Sequence, residues 1–112
     1  MAFTDIDTDT LFASMFGAAR KEAGDAWSQL RGVCKIELKA MARQIKEVAK
    51  SVSTKEITPE VGRTILRLSR TNSITAIAAM TPLTFASVER VVTTATGEVR
   101  DAVAKAVGLE LL

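Results

Sequence analysis

From Phe12 to Val52 the sequence keeps a single apolar register. Phe12, Phe16, Ala19, Ala23, Ala26, Leu30, Cys34, Leu38, Met41, Ile45, Val48 and Val52 follow at steps of 4-3-4-3-4-4-4-3-4-3-4. The mean step is about 3.6, the period of a straight α-helix, and no strand-like alternation competes with it. The expected fold class is therefore all-α. Two heptad-like halves meet at a stutter between Leu30 and Leu38, so little supercoil is expected. Drawn as one element over residues 9–52, this helix has about 45 residues and a length of roughly 65 Å. It starts near Thr8 or Asp9, where hydroxyl and acidic side chains cap free amides and complement the helix dipole. Gly17, Gly24 and Gly32 lie inside it at a cost of about 1 kcal/mol each relative to Ala, so a bend or break around Gly24 is compatible with the pattern.

A turn follows over residues 53–58. Thr58 suits an N-cap, Pro59 the first helical position and Glu60 the positive end of a dipole. A second helix is expected over 59–80. Pro82 then removes a backbone donor, giving a kink or a short break. Thr81 offers a cap for a third helix, or a continuation, over 82–107. That segment is amphipathic, with Val88, Val91, Val92, Ala95, Val99, Ala102, Val103 and Ala106 on one arc. Gly108 is a natural stop, and the apolar LELL ends the sequence. Residues 1–112 thus read as one all-helical domain. Its expected architecture is an antiparallel hairpin of two long helices, the second kinked or broken near Pro82. Each long helix covers only one side of the other, so self-association is expected to complete the fold.

Residues 71–88 carry no charge. Continuing the phase of the last helix backward puts Ile74, Ile77, Phe85 and Val88 inward. The opposite side carries Ala76, Ala79, Leu83 and Ala86 where charges would suit a wetted face. These four are the expected self-association residues. A membrane span normally needs about 20 predominantly apolar residues, and the hydroxyls, Asn72 and Pro82 of this run weigh against one.

Charge is unevenly placed. Residues 1–30 sum to −3, residues 31–70 to +6 and residues 71–112 to −1. In a hairpin the turn end is then basic and the end with both termini acidic, so one copy is expected to attract another in a salt-sensitive way. Arg31, Lys35, Lys39, Arg43, Lys46 and Lys50 align on one helical face, and Arg63, Arg67 and Arg70 on the next. This basic surface suits solvent, another copy or an anionic membrane surface. No aromatic is interleaved with it, which disfavours nucleic acid.

The sequence contains no histidine and no tyrosine. That removes the commonest general base and metal ligand. No motif supports Ser–Lys or paired-carboxylate chemistry, so no enzyme activity, catalytic residue, cofactor or small-molecule substrate is expected. Asp5, Asp7 and Asp9 imitate the opening of a calcium loop. Thr10 and Phe16 stand where the loop needs Gly and Glu, so DIDTDT reads as a frayed acidic cap and no metal site is expected. The lone Cys34 sits on the apolar stripe and reads as a buried structural thiol. Phe12, Phe16, Trp27 and Phe85 read as core. The acidic start lacks a signal-peptide pattern, and cytoplasmic synthesis is the expectation.

The ITPE turn (Ile57 to Glu60), the amphipathic segment from Val88 and the ending VGLELL (Val107 to Leu112) together resemble small all-helical proteins of bacteriophage and prophage regions. The resemblance implies a structural or accessory role and carries over no site residues. The expected function is that of a non-catalytic, self-associating structural or interaction protein. The alternative is a membrane-active protein, holin-like or pore-forming, that uses residues 71–107.

Overall fold

A computed structural model describes residues 6–112; Asp5 and the residues before it lie outside the described part. The described residues form α1 (Thr8–Ala23), a one-turn 3-10 segment (Gly24–Ala26), α2 (Trp27–Ser53), α3 (Pro59–Ala79) and α4 (Phe85–Val107). The all-α class holds. The single helix expected over 9–52 is instead two helices. Gly24 has φ +55° and ψ −123°, a conformation that glycine tolerates and other residues do not, and its N–H donates to the Arg20 carbonyl. The 3-10 turn then carries the chain around. An unbroken helix of that length would be roughly 65 Å long. The molecule's longest dimension is 41 Å, close to the ~40 Å of the 27-residue α2.

The hairpin of two long helices is accordingly replaced by four helices. α1 packs on α2 and α4, and α3 packs on the same two helices from the other side. Adjacent helices are antiparallel. Phe16 meets Trp27 near the α1–α2 turn, and Phe12 meets Lys39 farther along. Glu22, at the end of α1, meets Arg90, at the start of α4. Gly62, at the start of α3, lies against Val48 and Val52, at the end of α2. This is an up-down-up-down bundle closed within one chain.

The core is the set of inward stripes. α2 contributes Leu30, Cys34, Leu38, Met41, Ile45, Val48 and Val52 as the periodicity requires, with Ala42 and Ala49 beside them. In α1 the buried line is Leu11, Met15 and Ala19, while Phe12 and Phe16 sit half-buried at its edge. Those two rings stack at 5.1 Å, and Phe16 meets Trp27 edge-on at 4.9 Å. α3 contributes Leu66, Ile74 and Ile77, and α4 Val88, Val91, Val92, Ala95, Val99 and Val103. The tail folds back to bury Leu111.

The ends of the helices follow from local chemistry. Asp7 accepts hydrogen bonds from the Thr10 N–H at 3.2 Å and the Thr10 hydroxyl at 2.7 Å, so it caps α1 instead of fraying. These bonds, the hydroxyl's above all, hold its carboxyl below the usual aspartate range. Thr58 caps α3 through the Val61 N–H, as its sequence position suggests. At the end of α2 the Glu56 N–H returns to the Ser51 carbonyl and the Lys55 N–H to that of Val52. Lys55 takes the left-handed conformation, φ +64°, that glycine fills in most such caps. Pro82 marks a break. The helix expected from residue 82 is α4 and begins at Phe85, because Thr84 accepts the cap hydrogen bond from the Ser87 N–H. Thr81 instead donates its hydroxyl to the Ile77 carbonyl and closes α3.

Two glycines carry structural weight for different reasons. A Cβ on Gly62 would stand 2.8 Å from Val52 Cγ2 and 3.2 Å from Val48 Cγ1. Gly62→Ala is expected to destabilise by about 1–3 kcal/mol through overpacking. Gly24→Ala meets no neighbour, yet its positive φ should cost about 1–2 kcal/mol. Gly32→Ala meets no neighbour and has no such φ, so it should stabilise by about 0.5–1 kcal/mol. Urea unfolding of the three variants tests the assignment. A destabilised Gly32→Ala, or a neutral Gly62→Ala, would contradict the packing described.

Candidate functional site

The uncharged run of residues 71–88 does not form one helix. It is shared among the end of α3, the connection and the start of α4. Among the described residues no helix is long and apolar enough to cross a membrane. The inward half of the run behaves as its phase suggests, with Ile74, Ile77 and Val88 buried. The outward half gathers at the α3–α4 corner. Ala79 and Ala86 are exposed there, and Ala76 and Leu83 are half-buried. Met80 and Phe85 join them, 58% and 50% exposed. Phe85, expected inside, therefore stands outside. Phe85 is the first residue of α4, in phase with the buried Val88, but at the open end of the helix its ring is left half exposed. The TPLT sequence held the signal, because Thr84 is a second N-cap candidate just beyond Pro82.

The basic residues do not form one free face. Arg31, Lys35, Arg43, Lys50 and Arg67 are exposed, and Lys39, Lys46, Arg63 and Arg70 are half-buried. Lys39 Nζ lies 5.5 Å from the centre of the Phe12 ring, a cation–π contact that uses its charge within the chain. Lys46 sits close enough to help hold the Asp7 carboxyl in its charged form. Both contacts exist because α1 folds back along α2. The expected separation into a basic turn end and an acidic terminal end is therefore lost. The acidic start of α1 and the 54–58 turn share one end of the bundle. At the other end Glu22 pairs with Arg90 at 3.3 Å. That pair is partly exposed and contributes about 0–1 kcal/mol. Arg63, Arg67 and Arg70 are the exception. They surround a cavity against α2, α4 and the tail.

Met41 and Ile45 are buried, as a stripe on α2 requires, and α3 sets one residue of the Ile65–Leu68 turn inside. Leu66 is the buried residue, Ile65 is half-buried and Leu68 is 58% exposed. The polar core is small. Thr96 is buried with its hydroxyl donated to the Thr93 carbonyl at 3.0 Å, and Ser73 is buried beside Ile74. Among the described residues every buried side-chain nitrogen or oxygen has a hydrogen-bond partner. No group of three or more metal-ligating side chains occurs among them.

Cys34 is fully buried on α2. Burial pushes its thiol up to about 11, with a smaller contribution from the negative charge of Glu37. The folded chain thus holds the neutral thiol at pH values where the unfolded chain, near 9, has begun to lose the proton. Thiol ionisation therefore costs stability as pH rises from about 9 to 11, at a slope of up to about 1.4 kcal/mol per pH unit. Cys34→Ala should show a shallower loss over that window in urea unfolding. In the native protein at pH 8, labelling by a thiol reagent should require unfolding. Rapid labelling without unfolding would refute the buried assignment.

Comparison with known proteins finds no matching protein-family model, no matching curated protein and no matching solved structure.

Proposed function

We propose that the chain is a non-catalytic helical bundle that works by binding protein, in the first place another copy of itself, through the α3–α4 corner. A structural or accessory role, of the kind implied by the resemblance to phage-encoded helical proteins, is part of this proposal. One observation carries it. Met80 and Phe85, two large apolar side chains, stand more than half and half exposed beside Ala79, Leu83 and Ala86.

The bundle buries its own stripes, so a second copy is not needed to complete the core. Association must rest on the corner alone. Full burial of a Met or Phe side chain is worth about 1.5–3 kcal/mol, and half of that remains to be gained at each. An isologous dimer counts each side chain twice. The gross gain from the two pairs is then about 3–6 kcal/mol, against an association cost of about 4–15 kcal/mol. The flanking alanines and Leu83 must add to it, and the expected dimer is weak and concentration-dependent. It should also depend little on salt, because the corner residues Ala79, Met80, Leu83, Phe85 and Ala86 carry no charge.

The membrane-active alternative over residues 71–107 receives less support. Val88, Val91, Val92, Val99 and Val103, the apolar arc it needs, are all buried in the bundle. The bundle would have to open to present them.

Sedimentation equilibrium across a concentration and salt series tests the proposal. Self-association should appear at high concentration, persist in salt, and disappear in Met80→Glu with Phe85→Glu while the circular dichroism stays helical. A monomer at every concentration would remove the self-association reading. Dye leakage from vesicles that is lost in the same double variant would favour the alternative.

A further inference from the structure

The inward register of α3 runs Gly62, Leu66, then Ser73 and Ile77, with Ile74 alongside. The position one turn after Leu66 falls on Arg70, which is only half-buried. Opposite it, α4 presents Thr96 in a stripe otherwise made of Val and Ala. A charged side chain at a core position of one helix and a small hydroxyl on its neighbour leave the interior incompletely filled. The result is a cavity of about 230 Å³. Met41, Ile45, Leu66 and Thr96 form its floor, and Leu111 and Leu112 of the tail form a wall. The first five of these are at most 5% exposed, so the cavity reaches the core.

Its mouth is cationic. Arg63, Arg67 and Arg70 lie along the rim, and Glu110 is the one acid there. The Arg63 Nε–H donates to the Glu110 carbonyl at 2.8 Å, which ties the tail to α3. Among the described residues no carboxylate lies within ion-pair distance of Arg67 or Arg70. A dry apolar cavity of about 150 Å³ holds a six-carbon ring, so this one has room for roughly nine carbons. Guanidinium groups match a carboxylate in charge and in planar, two-pronged geometry.

We propose that this cavity is a binding site for a medium-chain carboxylate, with its alkyl chain on the Met41–Ile45–Leu66 floor and its head held by Arg67 and Arg70. This site lies on the α2–α3–tail side of the bundle and is independent of the α3–α4 corner. Either can fail without the other.

The test uses the full chain with methyl-labelled methionine and sodium decanoate below its micelle concentration. Decanoate should shift the Met41 methyl resonance in a saturable, one-to-one manner and leave that of Met80, exposed at the far corner, unmoved. 1-Decanol and decyltrimethylammonium, which share the chain but not the negative charge, should bind at least tenfold more weakly. Arg67→Gln with Arg70→Gln changes only the rim, so the fold should persist while decanoate affinity falls at least tenfold. Thr96→Ile, which fills the floor, should weaken binding with the rim intact. Equal binding of decanoate and decanol would overturn the proposal. So would parallel shifts at Met41 and Met80, or an affinity unmoved by the arginine substitutions.

Discussion

The chain reversal at Gly24 governs the rest of the structure. With a straight helix through residue 24, the α1 stripe of Leu11, Met15 and Ala19 would project beyond anything able to cover it. With the reversal, the same residues close against α2 and α4 and the fourth corner of the bundle is filled. The conformation required, φ +55° and ψ −123°, is open to glycine and costly for any other residue. One backbone position thus converts an open pair of long helices into a bundle with a closed core, and with it removes the strongest reason for the chain to need a second copy.

The same reversal redistributes charge. Along the sequence, acidic and basic segments follow one another and suggest a polar rod. Folded, Asp7 lies near Lys46, the Phe12 ring lies under Lys39, and Glu22 reaches Arg90. Part of the attraction that a linear reading assigns to neighbouring copies is thus used inside one chain. On α3, Arg67 and Arg70 have no carboxylate within ion-pair distance among the described residues, and there they meet the cavity.

Much of the fold was legible because the physics is local. The α2 stripe from Leu30 to Val52 is buried at each position, since period and burial agree over about six turns of helix. Thr58–Pro59 and Gly108 mark ends through hydrogen bonds within a few residues of themselves. Legibility fails where a local choice has a distant consequence. Gly24 tolerates a bend, a break or a straight helix in sequence terms, and the packing of α1 on α4 decides among them. The start of α4, and with it the place of Phe85 at the open end of the helix, depends on whether Thr81 or Thr84 supplies the cap. The burial of Leu66 goes with the close approach at Gly62, four residues earlier on the same face of α3, where the glycine faces Val48 and Val52. That approach joins residues of two helices across the turn, and the glycine alone does not specify its neighbours.

The candidate sites divide in the same way. The residues of the corner were partly visible, because Ala79, Leu83 and Ala86 lack the charges that a wetted surface usually carries. The cavity was not, because it arises from a mismatch between elements distant in sequence. Arg70 on α3, Thr96 on α4 and Leu111 in the tail are each unremarkable alone. Arg70 reads as the last member of a basic stripe, Thr96 as a helix-compatible polar residue, and Leu111 as part of an apolar ending. Brought together, they place a charged side chain and a hydroxyl where a bundle ordinarily sets two interlocking aliphatic groups. Close packing elsewhere in the molecule, at Gly62 above all, shows that the chain can bring helices into full contact. At the level of Arg70 and Thr96 that contact is incomplete, and there the chain also sets Arg63, Arg67 and Arg70.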